Sequence, residues 1–184
     1  MWPFSKKLNF KIMAEEFSEV VSVYSSYGYN RLKEIFISFD EDFSEDKAIS
    51  IFLEYNVFIL HIFDKYSTNY YGNVLRSEFV NKTIDEVKAI FCSLESLQIK
   101  DGNKGAFFEN FFKEAFYSYP QGGSLLGCDN EQVTKYFNER IVRLLFNGNA
   151  NEKQKYMSLI IYEMLENFVI EVFKTKPFVK YFRT

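Results

Sequence analysis

Ligands for metals and nucleophiles for covalent chemistry are scarce in this chain. It holds one histidine, His61, and two cysteines, Cys92 and Cys128, which lie 36 positions apart with no CxxC pairing. A cysteine count this low excludes a disulfide scaffold and fits a reduced, cytoplasmic protein. Closed zinc sites need four ligands, chiefly Cys and His, and di-iron bundles need two Glu-x-x-His units. The sequence can supply neither set, so no metal and no cofactor is expected. Long apolar runs are missing too. The longest, VFIL at 57 to 60, is far short of the roughly 20 residues that a membrane span requires. The N-terminal stretch MWPFSKKLNFKIMA shows neither an apolar signal-peptide core nor a small-residue cleavage site, so no transmembrane segment and no export are expected.

Alanine (6), tryptophan (1) and arginine (5, against 17 lysines) are also sparse. Phenylalanine (22), tyrosine (13), asparagine (14) and isoleucine (14) take their place. Phe, Tyr, Asn, Lys and Ile share AT-rich codons, so a biased genome explains the aromatic excess without a cofactor box. At 184 residues, 47% hydrophobic and 26% charged, the composition is that of one folded domain.

The apolar residues recur with helical spacing almost throughout. Phe10, Met13, Phe17, Val20, Val21, Tyr24 and Tyr27 step by three and four, and Gly28 reads as a stop. A shorter segment carries Leu32, Ile35, Phe36 and Phe39. Ser44 reads as the N-cap of a helix reaching about Tyr66, and a separate stripe runs from Phe79 to Leu94. Phe107, Phe108, Phe111, Phe112, Ala115 and Phe116 form one broad face that ends before Pro120. Asp129 and Gln132 form a capping box, and the last long helix runs from near Asn151 to Pro177 with Glu163, Asn167, Glu171 and Lys174 wet. The fold class is therefore all-α: a single-domain helical bundle of six to eight helices.

The stretch LEYNVFILHIFDKY, residues 53 to 66, combines the only histidine with the most apolar run. With Glu54 at zero and 100° per residue, Lys47 and Lys65 fall near about +20°, His61 near about −20° and Asp64 near about −80°. These residues form a narrow polar stripe on an otherwise apolar helix. A buried central helix with one edge at the surface predicts this pattern, so Lys47, Glu54, His61, Asp64 and Lys65 are expected to face water. Asn56, near about −160°, is expected inside and in need of a hydrogen-bond partner. Glu54 and His61 stand two turns apart, too far to share one ion.

Other motifs fail on chemistry. The segment DEDFSED, 40 to 46, spaces its acids like a calcium loop but has Glu45 at the turn glycine and Ile51 at the closing glutamate. QGGSLLGC, 121 to 128, lacks the Lys and Ser/Thr of a phosphate loop, and Leu126 stands where a nucleophile elbow needs glycine. It reads as a connection between helices, and residues 118–129 as a candidate lid.

Charge is distributed unevenly. Residues 1–11 and 174–184 together carry +7 with no acids, while the middle of the chain carries −10. Trp2, Phe4, Lys6, Lys7, Lys176, Lys180 and Arg183 thus form two basic, aromatic ends suited to an anionic surface or an acidic partner. The acidic body argues against nucleic acid. With no nucleophile–base pair, phosphate loop or metal set in sight, the expected function is binding a protein partner or self-association. The alternative is a carrier or sensor of an apolar ligand held in the aromatic core.

Overall fold

In a computed structural model, described at residues 10–41, 43–95, 99, 102–119, 129–146 and 151–175, the chain is all-helical, with no strand among the described residues. Among the described residues five helices follow in order: α1 (Phe10–Ser38), α2 (Glu45–Ser93), α3 (Lys104–Ser118), α4 (Asp129–Phe146) and α5 (Glu152–Thr175). None of them is long and apolar enough to cross a membrane, among the described residues.

Helix α2 is the centre of the molecule. Every residue from Leu53 to Asp64 is buried, so this arm is enclosed on all sides. A helix with an apolar circumference needs such an enclosure. Its 49 residues do not form a straight rod. The Phe63 and Phe79 rings stand 5.0 Å apart, and Arg76 bonds Asp64 at 2.6 Å. Sixteen residues of straight helix would separate the two rings by about 24 Å. The helix therefore bends back between Asp64 and Arg76, over a segment rich in the weak helix formers Ser67, Thr68, Asn69, Gly72 and Asn73. With α2 doubled back, the described residues form six helical arms. The separate helices expected up to Tyr66 and from Phe79 are thus two arms of one element.

Helix α1 packs most extensively on α2 and buries Phe10, Ala14, Phe17, Val21, Gly28, Leu32 and Phe36. Gly28 does not stop it. A Cβ at Gly28 would stand 2.7 and 2.8 Å from Cδ1 and Cζ of Tyr55 and closer still to Cε1. The glycine is a notch for a buried ring rather than a C-cap. The true stop lies twelve residues later, where Asp40 takes a left-handed φ of 52°. Glu41 N–H then reaches the Phe36 carbonyl at 3.1 Å and Asp40 N–H the Ile37 carbonyl at 3.1 Å, a Schellman pair. Asp40 thus has a backbone role in the segment whose acids resembled a calcium loop.

Ser44 sits at the N-cap of α2 as expected, although its side chain makes no capping bond. The capping box that does form is at α5, where Asn151 Oδ1 accepts from Gln154 N–H at 2.8 Å and Gln154 Oε1 accepts from Asn151 N–H at 3.1 Å. The expected Asp129–Gln132 box coincides with the start of α4, but the side chain of Asp129 lies outside the described residues. Helix α5 runs antiparallel to α1, with Phe168 beside Gly28 and Lys153 paired to Glu41 at 3.1 Å. Its Glu163, Asn167 and Glu171 are exposed, as the sequence pattern required.

Candidate functional site

The polar stripe of α2 is not wet. Glu54 is 0% exposed, His61 1% and Asp64 6%. The helical projection grouped them correctly on one edge, but that edge faces α3, α4 and the returning arm of α2. The expectation of a solvent-facing stripe is therefore corrected: it is a covered seam, and four of its polar groups each engage a different structural feature. Lys47 donates to the Leu145 carbonyl at 2.8 Å, holding the last turn of α4 where a cation suits the helix dipole. Glu54 accepts from Arg140 Nε of α4 at 2.7 Å and from the Tyr119 hydroxyl, just past α3, at 2.5 Å. His61 lies between the rings of Phe116 and Tyr119, at 5.7 and 5.0 Å. Asp64 binds Arg76 in a two-pronged pair, Nε at 2.6 Å and Nη2 at 2.5 Å. Lys65 is half-buried at the end of the seam.

Two partners were missed by sequence reasoning, Arg76 and Arg140. Both belong to the five arginines that the chain retains against seventeen lysines. A guanidinium presents a planar fork that stays charged and is weakly hydrated, so it suits a buried carboxylate better than an ammonium does. In a chain so biased towards lysine, two of the five arginines, Arg76 and Arg140, pair with buried acids.

The electrostatics fit a clamp rather than a catalytic pair. Burial pushes the Glu54 carboxyl above its ordinary value, against the opposing pull of Arg140 and of the Tyr119 hydroxyl. Burial, then the charge and hydrogen bond of Glu54, push the Tyr119 phenol well above its usual value and keep it a donor. Glu54 Oε2 has no hydrogen-bond partner among the described residues, which adds to the cost of holding the charge inside. Two large clefts are formed by described residues, and neither is lined by Glu54, His61, Tyr119 or Arg140. Among the described residues no three His, Cys, Asp or Glu side chains converge to hold a metal. Asn56 is inside as expected, with Nδ2 donating to the Phe52 carbonyl at 2.7 Å.

The larger cleft lies between the returning arm of α2 and α3, with a volume of about 560 Å³. Its floor is a ladder of stacked rings, Phe108, Phe112 and Phe116, spaced 5.4 and 5.1 Å. They are the inner members of the paired phenylalanines, while Phe107 and Phe111 form a half-buried outer row 6.4 Å apart. The Asp64–Arg76 pair lines the cleft, and the Lys88–Glu109 ion pair spans from α2 to α3 across it. Tyr117, 71% exposed, also borders it.

No family model, curated protein or solved structure matches this chain. The proposed contacts Trp2, Phe4, Lys6, Lys7, Lys176, Lys180 and Arg183 lie outside the described residues, as does most of the 118–129 connection.

Proposed function

We propose that this chain acts by binding, with no catalytic step of its own, and that the α2–α3 groove is the surface it binds through. One observation carries the reading: a cleft of about 560 Å³ pairs an apolar phenylalanine floor with a rim of charged residues of both signs. Asp64, Asp85 and Glu109 are matched there by Arg76, Lys88 and Lys113. A rim with balanced charge can complement itself after a two-fold rotation, which favours a second copy of the chain as occupant. Tyr117 adds the kind of exposed aromatic that anchors interfaces. The basic, aromatic ends extend this reading as a further contact for an anionic surface.

The groove volume supports a second reading, a carrier of a small apolar ligand, since such sites span about 300–1,000 Å³. Asn81 is exposed and lines the groove, so Asn81→Trp should fill it without disturbing the core. Native mass spectrometry of freshly purified protein should show dimer, or a retained small molecule under the second reading. The variant, with unchanged helix content, should lose either one. Identical bare monomers from both proteins would overturn the groove as the binding surface.

A further inference from the structure

The second cleft, about 470 Å³, opens between α1 and the first turns of α2. Three half-buried rings bound it: Tyr29 from α1, Phe43 from the connection and Phe52 from α2. Tyr29 stands 5.6 Å from Phe43 at 47° and 6.4 Å from Phe52 at 87°, so the rings meet at steep angles around one space instead of stacking. Phe36, 2% exposed, packs behind Phe43 at 5.0 Å and holds that wall in place. A ring presents negative electrostatic potential on its face, and several faces around one space attract an alkylammonium ion. Glu45, exposed at the start of α2, brings a carboxylate to the same cleft.

Two features narrow the ligand further. Most of the enclosing surface is aromatic or aliphatic, including Ile49, Ala48 and Leu94. Ser26 and Asn30 supply the polar part of the wall, and a quaternary ammonium, which has no donors to satisfy, suits the aromatic and aliphatic part. Lys33 also lines the cleft and would repel a bare cation. A ligand that carries its own anion turns this repulsion into a contact. We propose that the cleft binds a zwitterion joining a quaternary ammonium to an anionic group. The ammonium lies against Tyr29, Phe43 and Phe52 beside Glu45, and the anion meets Lys33. Burial raises the Tyr29 phenol above its usual value, so it stays neutral beside the cation at physiological pH.

Titration calorimetry with phosphocholine, choline and inorganic phosphate tests this on the full chain. Phosphocholine should bind most tightly, choline about tenfold more weakly, and phosphate not measurably. Tyr29→Ala should weaken phosphocholine at least tenfold. Glu45→Gln, at an exposed position that spares the fold, should weaken phosphocholine and choline several-fold. Lys33→Ala, also exposed, should weaken phosphocholine and leave choline unchanged or tighter. Phosphatidylcholine vesicles that sediment the protein, with release by free phosphocholine, would assign the zwitterion to a lipid headgroup. Binding of free phosphocholine alone would assign it to a soluble molecule. The proposal is overturned if phosphocholine gives no heat at millimolar concentration, if phosphate binds as tightly, or if Glu45→Gln and Lys33→Ala both bind like the wild type.

Discussion

Arg140→Ala should cost about 3–5 kcal/mol of folding stability, because it strands a fully buried carboxylate without its cation. That is a large share of the roughly 5–15 kcal/mol that holds a typical domain together. The loss should depend on pH, with a sign fixed by linkage. The Glu54 carboxyl titrates near 4.5 when unfolded and higher when folded, chiefly through burial. Between those two values the folded chain holds more protons than the unfolded one. The contribution of Glu54 is therefore fullest below about 4.5 and declines as pH rises through the folded value. Removing Arg140 takes away the main influence opposing that rise, so the deficit of Arg140→Ala should shrink as pH is lowered towards 4.5. Replacing all three partners by apolar residues (Glu54→Leu, Arg140→Met, Tyr119→Phe) should recover most of the loss, since no polar group then lacks a partner. Urea unfolding at pH 5 and pH 8 measures each value. A loss under about 1 kcal/mol that does not change with pH would describe a solvated pair, and the clamp would be wrong.

Gly28→Ala should also destabilise, against the rule for helix interiors. Alanine in place of glycine ordinarily favours a helix by about 1 kcal/mol. Here the new methyl meets the ring of Tyr55, which is 0% exposed and wedged against Phe137 and Phe168 at 5.2 and 4.9 Å. Overpacking of this kind costs about 1–3 kcal/mol, enough to reverse the helical gain and lower the melting temperature by a few degrees. The sign should flip in a Tyr55→Leu background, where the ring is gone and the methyl has room. Additive effects of the two changes would show that Gly28 and Tyr55 do not share the notch.

These two positions mark what could be read from the sequence and what could not. Helical periodicity is local, so the fold class, the buried Asn56 and the wet face of α5 followed from spacing alone. Gly28 carries no local sign of whether it ends a helix or admits a ring, because the ring arrives from Tyr55, in another helix. The α2 bend is an intermediate case. The apolar pattern lapses between Tyr66 and Phe79, yet the backbone continues as helix through the bend. The polar stripe failed for a related reason. Azimuth tells which residues share an edge, not whether a neighbouring helix covers it. Coverage was encoded in Arg140 and Arg76, at sequence separations of 86 and 12 residues from the acids they pair.

The most direct measurement of the covered seam uses the fact that His61 is the sole histidine, so its ring proton resonance needs no assignment by mutation. A soluble paramagnetic chelate broadens protons in proportion to their access to solvent. The His61 ring proton, 1% exposed behind Phe116 and Tyr119, should stay as sharp as core methyl signals. The ring of Tyr117, 71% exposed, should broaden in the same sample. Equal broadening of His61 and Tyr117 would place the α2 stripe at the surface and contradict the sealed seam.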